Sequence, residues 1–279
     1  MASPNNAGHS LLALALLLRF SAAYGQLSED HYASACPLLD LKGTVRSVLA
    51  GELSKDPRMG ASLLRLFFHD CFPQVRGCDA SVLLVNEPAR GIDSEQDAGP
   101  NQNSLRGFDV IDKIKAAVEA KCRGNVSCAD ILAVTAREAV VLLRGPSWPV
   151  RLGRLDSLNA SRGKANSDLP DPSFSLQQLE KAFGGKGFSP REMVALSGGH
   201  TIGMARRYYG DLVNGTGVLN SDRVLMDGGE REKQVRTYST DSNSFFTDFE
   251  NAMFKMSEMS VITARDKGQI RLDCKRLNK

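Results

Sequence analysis

The chain has 279 residues, of which 42% are hydrophobic and 24% are charged, and these proportions suit one globular protein with a sizeable core. The net charge is only +3, and no cluster of Lys and Arg forms a basic patch, so the composition argues against a nucleic-acid-binding protein. Function therefore has to be inferred from local motifs.

The first 25 residues have the pattern of a secretory signal. Leu11 to Leu18 is an unbroken Leu/Ala run, and the small residues Ala23 and Gly25 lie at the positions that a signal peptidase requires. A membrane anchor is the alternative, but the run is well short of the ~20 residues that span a bilayer. We expect cleavage after Gly25 and a secreted chain.

Helical periodicity dominates the rest of the chain. Helices are predicted over 38–53, from Pro57 through the segment with Arg65 and His69, from a Ser104 cap through Val118, over 130–143, and around Leu176, Leu179 and Phe183.

The C-terminal half continues this pattern, with few strands. Ser189, Pro190 and Glu192 form a capping box that is expected to open a helix running into His200. A late helical stripe is assigned to the core (Phe245, Phe249, Met253, Met256), and short β ribbons are predicted over 150–155 and 269–273. The sequence thus predicts one mainly α domain over residues 26–279.

Six cysteines follow the predicted signal. An even number in a secreted chain favours disulfides, and zinc is the weaker alternative because no Cys-x-x-Cys pair occurs. Cys71 and Cys78 are close enough to close a small loop. Glycosylation sequons begin at Asn125, Asn159 and Asn214.

Arg65 and His69 are four residues apart in an apolar run, so a helix would place both on one face. A cation beside an imidazole can accept a proton and stabilise the resulting negative charge. The alternative is an ordinary hydrogen-bonded core histidine. Nearby, Asp70, Asp79 and Ser81 supply hard oxygen ligands suited to Ca²⁺, although they could also form a solvated acidic loop.

A second histidine, His200, follows Gly198 and Gly199, which would leave space for a flat group. Neutral imidazole is a good axial ligand for iron, and Asp222 is a candidate acceptor for its other N–H. Plain helix packing also explains a Gly-Gly pair. The two histidines together indicate the two sides of a haem pocket.

Seven motifs make the resemblance specific. The chain resembles secreted plant haem peroxidases (class III) over nearly all of residues 26–279. The shared motifs, in the family's order, are Arg65–Phe72, Gly77–Ser81, Asn101–Phe108, Val126–Asp130, Gly145–Trp148, Ala195–Thr201 and Gly268–Cys274.

The resemblance implies a mainly α fold with two lobes of helices around a buried haem b. His200 would be the proximal iron ligand, with Asp222 as its carboxylate partner. On the distal side, His69 would act as acid and base, oriented by Asn101, and Arg65 would stabilise the departing oxygen. The resemblance also implies that Phe68 shields the distal side and that Pro170 lines the substrate entrance.

Further implied features are a calcium site and three disulfides. The distal Ca²⁺ would be held by Asp70, Asp79 and Ser81 and by carbonyls of Val75 and Gly77, with Glu95 joined through water. The implied disulfides are Cys36–Cys122, Cys71–Cys78 and Cys128–Cys274. The implied activity is reduction of hydrogen peroxide to water with one-electron oxidation of phenolic donors, by a monomer that needs neither nucleic acid nor membrane. The implied location is the extracellular space or cell wall, with the vacuole as a second location.

The chain departs from the family pattern after the proximal histidine. Arg207 stands where the family has a cysteine, and Tyr208 begins a stretch that in the family follows several tens of residues later. Of the proximal calcium ligands, only Thr201 remains, so we expect that site to be lost. The loop between Cys71 and Cys78 is two residues longer than usual.

Two interpretations of the missing segment remain open. It is either absent only from this version of the chain, through a skipped exon or a faulty gene model, or absent from the protein itself, whose haem retention and activity would then be low. The competing function is a catalytically impaired or non-enzymatic protein with a peroxidase fold. A hydrolase has no support, because neither Gly-x-Ser-x-Gly nor His-Glu-x-x-His occurs.

Overall fold

The computed structural model describes residues 26–73, 77–201 and 205–279, with only the backbone at 205 and 206. The predicted signal peptide and Val75 lie outside these residues. Within the described ranges, no helix combines the length and the apolar character needed to cross a membrane.

The described chain is mainly helical, as predicted. The helices are α1 Leu41–Lys55, α2 Met59–Cys71, α3 Phe108–Glu119, α4 Cys128–Leu142, α5 Arg162–Asp168, α6 Leu176–Gly184, α7 Pro190–Ser197, α8 Ala205–Val213, α9 Asn220–Arg223, α10 Gly229–Thr240 and α11 Ser242–Ser257. Short 3₁₀ turns cover Ser81–Leu83, Pro88–Arg90, Glu95–Asp97, Gly198–Thr201 and Val224–Met226.

The helices pack in two groups. In the first group, α1, α2, α3 and α4 contact one another, and in the second, α6, α7, α8, α10 and α11 do so. The groups touch where α2 meets the 3₁₀ turn that contains His200, and there Leu64 lies against Gly199. The two predicted lobes are therefore present, and His69 and His200 belong to different lobes.

Helix starts follow local side-chain caps. The Asp40 side chain accepts a hydrogen bond from the Gly43 amide, so α1 begins at Leu41, three residues later than its apolar pattern suggests. The prediction that Ser104 caps α3 is wrong. Gly107, with a φ of 97°, occupies the N-cap position, and Ser104 lies in the preceding turn.

The capping box of α7 is confirmed, because both of its reciprocal hydrogen bonds, between Ser189 and Glu192, are present. The predicted continuation of this helix into His200 is wrong. The α-helix ends at Ser197, and His200 lies in the tighter 3₁₀ turn that follows. This turn redirects the backbone just before the histidine.

Strands are few in the described ranges, and they match the predicted ribbons only in part. The paired Gln269 and the bridged Leu152 lie within the predicted ranges, whereas the other paired residues, Asp156, Ser157 and Gly268, lie just outside them. β1 (Asp156–Ser157) pairs antiparallel with β2 (Gly268–Gln269), and Ser28 forms an isolated bridge with Leu152. The disulfides are Cys36–Cys122, Cys71–Cys78 and Cys128–Cys274, the three pairs that the resemblance implies.

Candidate active site

His69 lies on α2 and points toward Asn101, which lies in a turn before α3. The His69 Nδ1 and Asn101 Oδ1 atoms are 2.5 Å apart, and the Asn101 amide nitrogen donates to the Glu95 carbonyl at 2.7 Å. Because the amide nitrogen is engaged with a carbonyl, its oxygen faces His69 and can only accept. His69 therefore carries its proton on Nδ1, and its Nε2 is left with a free lone pair.

The surroundings of His69 keep its ring neutral. The side chain is buried, and this burial, together with the charge of Arg65, lowers the pKa of His69 to about 3, although the Asn101 hydrogen bond acts in the opposite direction. Because this pKa is about 3, the imidazole is neutral over most of the acidic pH range, and its Nε2 can act as a proton acceptor there.

Arg65 is held by the turn that also carries Asn101. Its guanidinium donates to the Ser104 carbonyl and the Pro100 carbonyl, each at 2.9 Å, and to the Ser104 hydroxyl at 3.1 Å. Burial lowers the pKa of Arg65, but an arginine stays charged at any physiological pH. Sequence reasoning assigned Ser104 to a helix cap and did not identify this role.

On the other lobe, His200 donates from Nδ1 to the Asp222 Oδ1 atom at 2.9 Å. This matches the predicted pairing and leaves the His200 Nε2 atom free to bind a metal. The His200 side chain is 51% exposed, whereas the Asp222 side chain is 6% exposed. The Tyr208 hydroxyl also donates to the same Asp222 oxygen at 2.7 Å, a contact that the sequence did not predict.

The Gly-Gly pair before His200 serves packing. A Cβ at Gly198 would lie 2.5 Å from the Tyr209 hydroxyl and 2.6 Å from the Phe245 ring, and one at Gly199 would lie 3.3 Å from Leu64. The expectation that Gly198 leaves space for a flat group is therefore wrong, because protein side chains fill that space. The packing alternative is the one observed.

Asp70 lies at the end of α2, and Asp79 lies in the following loop, which has an unusual backbone. The Asp70 carboxylate accepts from the Ala80 amide at 2.9 Å, and the Asp79 carboxylate accepts from the Ser81 amide at 3.1 Å. Cys78 and Ala80 both have positive φ values, of 51° and 58°, which are uncommon outside glycine. The disulfide to Cys71 and these backbone turns bring both acids into the protein interior.

The charge of Arg271 lowers the pKa values of Asp79 and Glu95, but burial outweighs it. Burial raises the pKa of Asp79 to about 6 and of Glu95 to about 7, and burial with the nearby charge of Asp79 raises the pKa of Asp70. One oxygen of Glu95, Oε2, is buried without a hydrogen-bond partner. A bound cation would relieve both features, so these residues fit a hard divalent ion.

The oxygen atoms of these residues are of the kind that Ca²⁺ prefers, and only a few of them are charged. No group of three or more His, Cys, Asp or Glu side chains within the described ranges is arranged to hold a metal. A site built from two carboxylates, the Ser81 hydroxyl and backbone carbonyls does not need such a group. Gly77, the predicted carbonyl ligand, is buried at the start of this loop.

The remaining predicted residues are placed as follows. Phe68 stacks on Phe72 with ring centroids 4.7 Å apart and meets the His69 ring edge-on at 5.9 Å. Thr201 has a buried hydroxyl without a hydrogen-bond partner. Pro170 is half-buried between α5 and α6. Within the described residues, both histidines use Nδ1 for a side-chain hydrogen bond and leave Nε2 for another partner. This donor set fits haem on the His200 side and an acid–base group on the His69 side.

Comparisons with known proteins show the family of the chain. The sequence model of the family described as "Peroxidase" matches residues 45–207. The chain is 42% identical to Peroxidase 22.3 of Oryza sativa subsp. japonica over 328 aligned positions that cover all of both chains. It is 43% identical to Peroxidase 68 of Arabidopsis thaliana, with 95% of each chain covered.

The length of the rice alignment also bears on the segment after His200. It extends over 328 positions, whereas this chain has 279 residues, so the rice enzyme has residues without a counterpart here. The family match ends at Arg207, immediately before Tyr208. On family match and identity over the whole length, the chain belongs to the plant class III peroxidases, which are haem enzymes.

Proposed function

We propose that this peroxidase reduces hydrogen peroxide to water and oxidises phenolic donors in one-electron steps, as a secreted monomer. The observation that carries the proposal is the pairing of His69 with Asn101, which leaves a neutral imidazole with a free Nε2 beside Arg65. Three disulfides support an oxidising, extracellular environment.

On the proximal side, His200 would hold haem b through its free Nε2, since its Nδ1 is engaged with Asp222. When bound there, haem supplies the exchange of electrons between peroxide and donors. The buried carboxylate fixes the tautomer and the orientation of the imidazole and increases its basicity. Asp222 thereby strengthens the donation of electron density from His200 to the metal.

On the distal side, His69 would move the proton of peroxide. Its Nε2 takes the proton from the near oxygen and delivers it to the far oxygen, so that the far oxygen leaves as water. Arg65 stabilises the negative charge that develops as the O–O bond breaks, because its guanidinium is held in a half-buried position by carbonyls of the adjacent turn. Asn101 keeps the Nε2 lone pair available throughout.

Calcium would stabilise the distal lobe. We assign its ligands to the side chains of Asp70, Asp79 and Ser81 and the carbonyls of Gly77 and Val75, with Glu95 joined through water. This arrangement is supported by the burial and raised pKa values of the acids. Phe68 would shield the distal side, and Pro170 would line the entrance for donors.

The proximal side would be weaker than in longer relatives. The end of the family match at Arg207 and the extra residues of the rice enzyme support a domain shortened after about residue 207. Thr201 would be left without the other ligands of a proximal calcium ion. We therefore expect faster loss of haem and lower activity than in a relative that retains the segment.

The substitution His69→Leu tests the proposal. Loss of the proton acceptor should reduce the rate of the reaction with peroxide by about 100- to 10,000-fold, the usual contribution of general acid–base catalysis, while haem stays bound. The matched control is His31→Leu, an exposed histidine, which should leave the rate unchanged. Equal rates in His69→Leu and the unchanged chain would reject the role of His69, and no reaction with peroxide in the unchanged chain would favour the non-enzymatic alternative.

A further inference from the structure

The Tyr208 hydroxyl is a second hydrogen-bond donor on the carboxylate that orients His200. Both donors meet the same oxygen of Asp222, from the His200 Nδ1 at 2.9 Å and from the Tyr208 hydroxyl at 2.7 Å. The rings of Tyr208 and His200 lie edge-on with centroids 6.1 Å apart. The carboxylate oxygen is therefore shared between an imidazole and a phenol.

The position of Tyr208 is fixed by its neighbour on α8. The Tyr209 hydroxyl donates to the Val194 carbonyl near the end of α7 at 2.8 Å and fills the space over Gly198. The Tyr208 and Tyr209 rings contact each other edge-on at 4.8 Å. The Tyr209 ring also packs against Tyr238 and Phe245, so ring packing, which Tyr209→Phe would retain, holds Tyr208 beside Asp222.

The shared oxygen has a chemical consequence for His200. A carboxylate that accepts only the imidazole N–H draws that proton strongly and gives the ring imidazolate character. A phenol that donates to the same oxygen withdraws part of its negative charge, so the bond to the imidazole weakens. The electron density that His200 can give to a bound metal is thereby reduced.

We propose that Tyr208 is a positioning residue that acts through Asp222 and His200 to raise the reduction potential of the haem iron. The inference rests on the proposed haem ligation by His200. A purely structural role would need only the ring of Tyr208, because the ring supplies the packing and the hydroxyl supplies the bond to Asp222. Tyr208→Phe separates the two roles.

The test measures the ferric–ferrous potential of the full haem-loaded chain by spectroelectrochemistry and the iron–histidine vibration of the ferrous protein by resonance Raman. Tyr208→Phe should lower the reduction potential by about 59 mV, which corresponds to a tenfold shift of a one-electron equilibrium toward the ferric state. The frequency of the iron–histidine vibration should rise. Tyr209→Phe, which removes the hydrogen bond to Val194 instead, should change neither value.

A second variant keeps the proposal testable if Tyr208→Phe does not fold. Replacement of Tyr208 by 3-fluorotyrosine makes the phenol a stronger donor with little change in shape, so the potential should shift in the opposite direction. An unchanged potential in the fluorinated protein, or equal shifts in the Tyr208 and Tyr209 variants, would overturn the proposal. Absence of any histidine-ligated haem spectrum would instead reject the proposed function.

Discussion

Asn101 decides which nitrogen of His69 carries the proton. Its amide nitrogen is held by the Glu95 carbonyl, and this leaves the amide oxygen as an acceptor facing the imidazole. A neutral acceptor fixes the tautomer without adding a charge that would favour protonation of the ring. Together with burial and Arg65, it keeps the pKa of His69 near 3.

Asn101→Asp should move the acid limit of activity upward. An ionised carboxylate in place of the amide stabilises the imidazolium, so the pKa of His69 rises from about 3 toward or above its ordinary value. Since the reaction with peroxide needs the neutral ring, the rate should begin to fall at a pH at least ~1 unit higher than in the unchanged chain. Stopped-flow rates measured from pH 3 to 8 provide the check.

The matched control for this variant is Asn103→Asp, in the same turn. Asn103 is exposed and has a φ of 57°, a conformation that aspartate also tolerates. Its pH profile should follow that of the unchanged chain. If Asn101→Asp and Asn103→Asp give the same profile, the amide does not control the protonation of His69.

At the residue scale, the hydrogen-bond partners of both histidines could be predicted from the sequence. His69 with Asn101 and His200 with Asp222 were predicted as pairs, and the structure brings both pairs into hydrogen-bond contact. Tyr208 was not identified, because a tyrosine fourteen positions before Asp222 has no spacing that distinguishes it from core. The role of Ser104 was missed because serine is also the commonest type of helix cap.

At the scale of elements, the segment after α2 buries two acidic side chains, Asp79 and Glu95. Without a cation, Asp79 and Glu95 hold protons up to a pH near 6 and 7, whereas in the unfolded chain they would lose them near pH 4. The metal-free fold therefore binds more protons than the unfolded chain in this window. The contribution of these two acids to the free energy of unfolding is fully present below about pH 4 and is lost as the pH rises through 7.

Removal of calcium should thus lower the stability of the fold more at pH 8 than at pH 5. The ion replaces the protons as the counter-charge, so its stabilisation grows as the acids ionise, and at 100 times its dissociation constant it amounts to about 2.7 kcal/mol. Thermal unfolding with calcium or with a chelator, at both pH values, measures the difference. Asp79→Asn should abolish the calcium effect, and Asp93→Asn, an exposed acid nearby, should preserve it. A calcium effect that is equal at both pH values would contradict this account.

Packing of α8 against α7 depends on the absence of a side chain at Gly198. The Tyr209 hydroxyl and the Phe245 ring occupy the volume that a Cβ would need. Gly210, on α8 itself, has nothing within 4 Å of a Cβ position. Gly198, at the end of α7, is thus closely packed, whereas Gly210, within α8, is not.

Gly198→Ala should destabilise the protein by about 1–3 kcal/mol through overpacking. Gly210→Ala should stabilise it by up to about 1 kcal/mol, because alanine favours a helix interior. Urea unfolding followed by circular dichroism measures both changes. Equal effects of the two substitutions would show that the close packing over Gly198 does not control the position of α8.

Elements with a local signal were predicted well, and those set by tertiary packing were not. The capping box at Ser189 located the start of α7 because its two hydrogen bonds are made within one turn. The change to a 3₁₀ turn at Gly198 depends on Tyr209 and Phe245, which are distant in sequence. The β ribbons were predicted only in part because only two residue pairs form the sheet.

At the scale of the whole molecule, a disulfide and buried charged side chains connect the distal lobe to the C-terminal segment and to the chain after α4. Cys128–Cys274 joins the start of α4 to the C-terminal segment, and the buried Arg271 donates to the Ala80 carbonyl in the acidic loop. Arg154 and Asp130 form a fully buried ion pair at 2.8 Å. None of these links involves a residue of α8, so we expect the distal lobe to keep its structure in spite of the shorter proximal segment.

The central claim is that the two lobes hold haem between His69 and His200 and use it on peroxide. The most direct measurement is the visible absorption spectrum of the haem-reconstituted chain from residue 26 to 279, before and after one equivalent of hydrogen peroxide. The account predicts a histidine-ligated ferric spectrum that changes with peroxide and returns when a phenolic donor is added. Failure to retain a haem band, or a band that only bleaches with peroxide, would contradict it.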